Sequence, residues 1–329
     1  HHLALITGAT MPHVLIPDVV HPSALEIVRQ LPDVIITSSG QMTREQTLAA
    51  IPDADALIIR SATKVDADML AAASKLKYIA RAGVGVDNVD IPAATARGVI
   101  VMNTPDGNTI STAEHTFGLM LALARHIPQA HMSMSAGKWD KKSFMGVEIK
   151  GKTLGVVGFG RIGRAVAKRA LAFEMTVIAF DPFIPADVAA DMGVELVSLE
   201  ALYQRADFIT LHALLTPETR EMINKDSLAS MKKGVRIIDA ARGALINEPD
   251  LANAIKSGQV AGAALDVFAE EPPATGNPLV NLPGVIHTPH LAASTDDAQV
   301  NVAIDAARLI VAALTTGVYS NVVNPAAIK

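Results

Sequence analysis

Cysteine is absent from the 329 residues, which removes disulfides, thiolate metal sites and a cysteine nucleophile together. That absence agrees with a cytoplasmic protein. A basic excess is missing as well. The formal net charge is −5, whereas nucleic-acid binders carry a positive surplus or stripe, so any positive surface has to be local. Long apolar runs are lacking: "FGLMLALA" at 117–124 stops at Arg125, short of the roughly 20 residues that cross a bilayer. The histidines are scattered with no close ligand set, so no metal is expected. Low-complexity stretches and short repeats are absent too. These absences leave a small molecule as the expected partner, with neither nucleic acid nor membrane.

What is present is hydrophobic mass. Half of the residues are apolar and 19% are charged, enough for sizeable cores, and the length suits two domains. The opening "HHLALITGAT" precedes Met11 and reads as a tag remnant, residues 1–10, with Met11 as the native start.

From Met11 onward, short β-rich runs alternate with helical segments. "HVLIP", "DVIIT", "DALIIR", "KYIAR" and "GVIVMN" read as strands, separated by "PSALEIVRQ", "TREQTLAAI", "DADMLAAAS" and "DIPAATARG". This alternation predicts a parallel sheet covered by helices. A long helix is expected from about Ser111, with Ser111 and Glu114 in capping-box spacing. A polar loop, "SAGKWDKKSFMG", follows. A second alternation then begins with "TLGVVGF", "MTVIAFD", "DFITLH", "VRIIDA", "AGAALDVF" and "GVIHTPH" as strands, and a last helix follows His290. The tail "VYSNVVNPAAIK" has no domain of its own and packs, on this reading, back onto the first. The fold class expected is α/β with two parallel-sheet domains: a Rossmann domain at 108–292 inserted in a discontinuous flavodoxin-like domain at 11–107 and 293–329.

"GVVGFGRIG" places Gly158, Gly160 and Gly163 between a strand and a helix. In that context Gly158 permits a tight turn, Gly160 lets backbone approach a pyrophosphate, and Gly163 lets helix and strand pack closely. The positive helix end suits phosphate oxygens. An acid is also required at the end of the next strand, and "MTVIAFD" supplies Asp181. A carboxylate there accepts from both ribose hydroxyls and repels a 2′-phosphate, which points to NAD over NADP.

The segments "GKTLGVVGFGRIGRAVAKRA", "DAARGALINE", "AGAALDVFAEEPP" and "TPHLAAST" resemble the signatures of D-isomer-specific 2-hydroxyacid dehydrogenases. "RSATKVDADMLAAASKLKYIARAGVGVDNVDIPAATARGV", "VMNTPDGNTISTAEHTFGLMLALAR" and "GKWDKKSFMG" resemble the D-3-phosphoglycerate dehydrogenases within that family. The resemblance covers roughly residues 55–300. It implies a substrate domain made from both chain ends, a central NAD domain and a catalytic set of Arg242, Glu271 and His290. Asp266 falls at the nicotinamide-side aspartate. Arg161, Ile162, Pro182, His212 and Ala240 complete the expected cofactor-binding set. Singly, His290 also reads as a loop residue and Glu271, beside Glu270, as solvated surface; Arg242 in the same chain favours chemistry.

Oxidising a secondary alcohol removes a hydride and a hydroxyl proton. An imidazole is the natural proton acceptor near neutrality, a glutamate bonded to it fixes the tautomer, and a guanidinium fork clamps an α-carboxylate. For a phosphorylated 2-hydroxy acid the resemblance assigns Arg60 and Arg81 to the phosphate and the backbone of Val84 and Gly85 to the carboxylate, with Ser61 as a further donor. A solvated or ion-paired surface role is the plain alternative for both arginines. Trp139 and Lys141 stand in a loop that in related dehydrogenases reaches a neighbouring subunit's site, which implies a homodimer or homotetramer. Ala292 stands where relatives commonly have glycine, and its methyl narrows the approach to the nicotinamide amide or shifts the loop. The chain ends near "NVVNPAAIK", so the C-terminal regulatory modules of longer relatives, and serine feedback through them, are not expected. Two other readings stay open: a dehydrogenase or reductase for glyoxylate, hydroxypyruvate or D-lactate, and an NAD(H)-sensing corepressor on the same fold.

Overall fold

The computed structural model describes residues 11–328; the expected tag remnant lies outside the described residues. The chain divides into two compact units, one formed by the segments up to Asn108 and from Thr295 onward, the other by Thr109–Ser294.

The first unit holds five parallel strands: β1 (His13–Leu15), β2 (Ile35–Thr37), β3 (Ala56–Ile59), β4 (Tyr78–Arg81) and β5 (Ile100–Asn103), in the order β2-β1-β3-β4-β5. That is the flavodoxin-like order. Both faces are buried, which explains the continuous apolar runs. Val14, Ile58, Ala80 and Met102 enter one core, while Leu15, Leu57, Ile59, Ile79 and Val101 enter the other, as the two-residue period of a strand requires.

The helix Asp296–Thr316 is long and apolar enough to cross a membrane by length and composition. Its face of Val302, Ala303, Ala306, Ala307 and Ile310, however, is buried in the first of those cores. The tail then runs antiparallel to β5: Met102 bridges Val322, and the Val323 N–H donates to the Val101 carbonyl at 2.8 Å. Buried Asn324 accepts from the Val101 N–H at 2.8 Å and donates to the Val99 carbonyl at 2.9 Å.

The second unit holds seven parallel strands: β6 (Thr153–Val157), β7 (Thr176–Phe180), β8 (Glu195–Leu196), β9 (Phe208–Leu211), β10 (Val235–Asp239), β11 (Val260–Leu265) and β12 (Val285–His287). Their order is β12-β11-β10-β9-β6-β7-β8. The chain leaves β6 in one direction toward β8 and returns on its other side at β9, so the order reverses at β6. In a doubly wound sheet that reversal marks the ligand crevice, at the carboxyl ends of the strands. Two-residue β8 was not expected from the sequence.

Two expectations about the helix after β5 are corrected. It begins at Thr109, so Ser111 lies inside its first turn and forms no capping box with Glu114; Glu114 instead pairs with Arg169 at 3.1 Å. It is also not continuous. Thr109–Arg125 stops at His126, whose φ of 55° is left-handed, and a second helix, Ile127–Ser135, starts with Pro128 in its first turn. Pro128 has no N–H to give the Ala124 carbonyl, and its ring would clash with that carbonyl in a continuous helix; the Ala124 carbonyl accepts from the Val147 N–H at 2.9 Å instead.

Candidate active site

The glycine loop leaves β6 at the reversal point. Gly158 has φ +91°, and a Cβ there would lie 2.6 Å from the His212 carbonyl oxygen. Two backbones therefore touch at the ends of β6 and β9. A Cβ on Gly163 would lie 2.1 Å from the Gly158 carbonyl oxygen, whereas one on Gly160 meets nothing within 4 Å. Packing demands the outer two glycines; only the middle one faces open space.

The helix Arg161–Ala172 starts at that open side, with Gly160 as N-cap and no side chain capping its N–H groups. Arg161 is exposed and Ile162 half-buried. This bare, positive helix end is chemically suited to a pyrophosphate.

Asp181, one residue past β7, braces the loop: Oδ2 accepts from the Phe159 N–H at 2.8 Å and Oδ1 from the Phe183 N–H at 2.9 Å. Each oxygen keeps a further lone-pair site. Pro182 beside it is exposed. His212 follows β9 with Nε2 2.9 Å from the Thr210 hydroxyl. Burial pushes its pKa down to about 4, so the ring is neutral.

A second cluster stands at the ends of β10, β11 and β12. His290 Nδ1 lies 2.7 Å from Glu271 Oε2, and Glu271 Oε1 accepts from the Phe268 N–H at 3.2 Å. His290 is placed by its backbone: φ is 54°, and its N–H donates to the Asp266 carbonyl at 2.8 Å. The bond to Glu271 raises the pKa of His290 despite partial burial, and nearby Arg242 opposes the rise. For Glu271, burial would raise the carboxyl, but the His290 bond, the Phe268 N–H and the charges of His290 and Arg242 hold it below the usual range. A cavity of about 470 Å³ opens beside the pair, lined by Asp266, Phe268, Glu271, His287, Thr288 and His290 among others.

Arg242 caps the short turn Gly243–Leu245, and its Nη1 donates to the Ala241 carbonyl at 2.6 Å. Gly243 packs so tightly that a Cβ would lie 1.9 Å from the Phe268 carbonyl carbon. The Arg242 turn and the Glu271 loop are thus locked together through backbone. Ala240, which precedes this turn, is buried.

Asp266 is fully buried at the end of β11. Its carboxylate accepts from the Thr288 hydroxyl at 2.6 Å and from the Leu291 and Ala292 N–H groups, each at 2.8 Å; His115 Nε2 stands 3.2 Å away. Burial favours the neutral form, but these bonds outweigh it and hold the pKa below the ordinary value. Ala292 is itself buried, at 4% exposure.

Sequence reasoning passed over two members of this cluster. His115 holds Asp266 from the helix after β5. Asp239, fully buried at the end of β10, accepts from the Ala241 N–H at 2.8 Å through Oδ1, while Oδ2 has no hydrogen-bond partner among the described residues. Burial pushes its pKa up to about 7. The signal for it was "DAARG", an acid at a strand end three residues before an arginine; His115 had none.

The remaining site residues belong to the first unit or to the polar loop. Ile59 of β3 is in register with Arg81 of β4, so Arg60 and Arg81 occupy the carboxyl ends of neighbouring strands. Arg60 Nη1 donates to the Val19 carbonyl at 3.1 Å, and Ser61 is exposed beside it. Arg81 folds over its own loop, Nη1 donating to the Ala82 carbonyl at 3.2 Å. Val84 and Gly85 follow; the Val84 carbonyl accepts from the Asn103 amide at 2.7 Å. Trp139 is exposed, and Lys141 Nζ stands 5.7 Å from its ring centroid.

Comparison with known proteins assigns the lineage. The chain is 51% identical over 315 residues to the D-3-phosphoglycerate dehydrogenase of Methanocaldococcus jannaschii, covering 95% of this chain and 60% of that protein. It is 49% identical over 298 residues to the protein of the same name from Archaeoglobus fulgidus, covering 91% and 56%. The chain thus spans about six-tenths of the length of these relatives. Among solved structures, a glyoxylate reductase from Paecilomyes thermophila superposes with a TM-score of 0.87 at 30% identity, covering 95% of this chain and 98% of that one. Residues 117–292 match the profile of the D-isomer specific 2-hydroxyacid dehydrogenase, NAD binding domain. With strand order, glycine loop and sequence in agreement, the chain belongs to the D-isomer specific 2-hydroxyacid dehydrogenase family.

Proposed function

We propose that the protein interconverts 3-phospho-D-glycerate and 3-phosphohydroxypyruvate with NAD, the first step of L-serine biosynthesis. The observation that carries the reaction type is the hydrogen-bonded His290–Glu271 pair within electrostatic reach of Arg242. The identity of the acid rests on the 51% relative named above and on two arginines at adjacent strand ends.

The residues divide the work as follows. NAD, when bound, supplies the hydride acceptor in oxidation. The open side of the loop at Gly160 would take its pyrophosphate, with Arg161, Ile162 and Gly163 at the helix start and Gly158 shaping the turn. Asp181 and Pro182 would hold the adenosine ribose end, and His212, Ala240 and Asp266 would line the remainder. His290 takes the substrate hydroxyl proton through Nε2 as the carbon loses hydride, and the resulting imidazolium is stabilised by Glu271 at Nδ1. In the reverse direction the imidazolium returns that proton to the keto oxygen. Arg242 clamps the α-carboxylate and orients the carbon.

Arg60, Ser61 and Arg81 bind the phosphate, and the Val84 and Gly85 backbone supports the carboxylate. Trp139 and Lys141 serve a homodimer or homotetramer, their loop extending toward a neighbouring subunit, and the enzyme acts in the cytoplasm. Buried Ala292 acts through its N–H, which fixes Asp266, and this limits how far its methyl intrudes on the cofactor.

A second reading, an unphosphorylated acid such as glyoxylate, is favoured by the likeness to the glyoxylate reductase named above. Arg60→Ala separates the two. It should cut kcat/KM for 3-phosphohydroxypyruvate by roughly two orders of magnitude, as expected on losing a charge-assisted phosphate contact, and spare glyoxylate. Equal losses on both would remove the phosphate assignment.

A further inference from the structure

The loop that carries Arg60 and Ser61 is held from two sides by side chains distant in sequence. Asp18 follows β1, is 1% exposed and directs its carboxylate into the base of the loop. Oδ2 accepts from the Arg60 N–H at 2.6 Å and the Thr63 N–H at 3.3 Å. Oδ1 accepts from the Thr63 hydroxyl in a short bond and from the Gln41 amide at 3.3 Å. From the other side, the Asn88 amide donates to the carbonyls of Arg60 and Thr63, each at 2.7 Å. Both backbone groups of Arg60 and of Thr63 are thus fixed, and Ser61 and Ala62 form an exposed arch between two clamped posts.

Four donors fill the acceptor capacity of one carboxylate. A structural acid would suffice anywhere in the unit. This one lies at the carboxyl edge of the sheet, where ligands bind, and fixes the residue that aims Arg60. Arg60 Nη1 is also tied to the Val19 carbonyl, next to Asp18.

We propose that Asp18, with Asn88, is the positioning residue for discrimination in favour of a phosphorylated substrate. It pre-organises the 60–63 loop so that the guanidinium and the Ser61 hydroxyl meet a phosphate without an ordering cost. This rests on the assignment of Arg60 to the phosphate, and the experiment separates the two.

The test compares steady-state kinetics on 3-phosphohydroxypyruvate and hydroxypyruvate for the unmodified protein, Arg60→Ala, Asp18→Ala, Asp18→Asn and Asn88→Ala. Asp18→Ala should raise KM for the phosphorylated acid about tenfold or more, the scale of one or two lost bonds to a charged group. Its kcat should change little, and kcat/KM for hydroxypyruvate should hold. Asp18→Asn should recover most of the affinity, because its amide oxygen still accepts the two backbone N–H groups while its NH₂ meets the Thr63 hydroxyl, which can reverse. Should Asp18→Ala not fold, Asn88→Ala carries the same expectation with a smaller KM rise.

Equal losses on both substrates in the clamp variants, or an unchanged KM for the phosphorylated one, would overturn the proposal while Arg60→Ala still discriminates. Asp18→Asn failing as badly as Asp18→Ala would overturn the hydrogen-bond account. Arg60→Ala affecting both acids alike would dismiss the phosphate assignment, and this role with it.

Discussion

His290 and Glu271 are joined by a 2.7 Å bond between Nδ1 and Oε2, nineteen residues apart in sequence and brought together by the loop after β11 and the turn after β12. The bond leaves Nε2 as the imidazole nitrogen for proton exchange. His290→Gln should therefore lower turnover by about 10²–10⁴, the range for a positioned acid–base group, while NADH affinity stays within a fewfold by fluorescence titration. Retained turnover would remove His290 from the chemistry.

The same bond sets a pH dependence. Glu271 raises the pKa of His290, so keto-acid reduction, which uses the imidazolium, persists to higher pH and fails as pH rises through that raised value. Oxidation, which uses the neutral ring, has its limb displaced upward likewise. In Glu271→Gln both limbs should move to lower pH. Profiles of kcat/KM in each direction check this, and an unmoved limb would deny the coupling.

Of the three loop glycines, two are demanded by packing and the third, Gly160, faces open space. Gly163→Ala puts a methyl against the Gly158 carbonyl, 2.1 Å away before relaxation, and should cost roughly 1–3 kcal/mol of stability, as overpacking does. Gly160→Ala meets open space within the protein; its melting temperature should hold while NAD affinity falls. A thermal melt beside a cofactor titration distinguishes the two classes.

Asp181 should set cofactor choice. Asp181→Ala removes the proposed acceptor for the ribose hydroxyls and also releases the Phe159 and Phe183 N–H groups. NAD affinity should drop about tenfold or more, and the preference for NAD over NADP should shrink. An unchanged ratio of the two dissociation constants would reassign this residue to bracing the loop alone.

These positions were not equally legible beforehand. Gly158, Gly160, Gly163 and Asp181 stand out because local geometry fixes their spacing: one turn, one helix start, one strand length. The strand runs of both sheets were legible because burial on two faces demands unbroken apolar residues. Arg242, Glu271 and His290 came through resemblance, since nothing local ties three residues from separate loops. Asp18 reaches Arg60 across 42 positions and His115 reaches Thr288 across 173; such pairs exist only once the sheet is assembled. The two residues of β8 are too few for a pattern. The break at His126 did leave a trace, in Pro128, which a reading of that stretch as one helix overlooked.

Asp239 was passed over despite that signal for a further reason: its significance is an environment. Its folded pKa is pushed up to about 7 by burial, above the unfolded value of about 3.9. Its contribution to stability is therefore fully present below about pH 4 and declines as pH rises to about 7, by an amount on the order of a few kcal/mol. Asp239→Asn should flatten that decline, raising the melting temperature at pH 8 more than at pH 4. Parallel shifts at both pH values would mean that folding does not raise the pKa of this carboxyl.

The most direct measurement is NADH consumption with 3-phosphohydroxypyruvate beside glyoxylate, hydroxypyruvate and pyruvate at matched concentrations. The expected result is a kcat/KM for the phosphorylated acid at least about tenfold above every other member of the panel, the advantage of one well-made charged contact. Equal or faster reduction of a plain keto acid would contradict the assignment and return the arginines at the ends of β3 and β4 to a structural role.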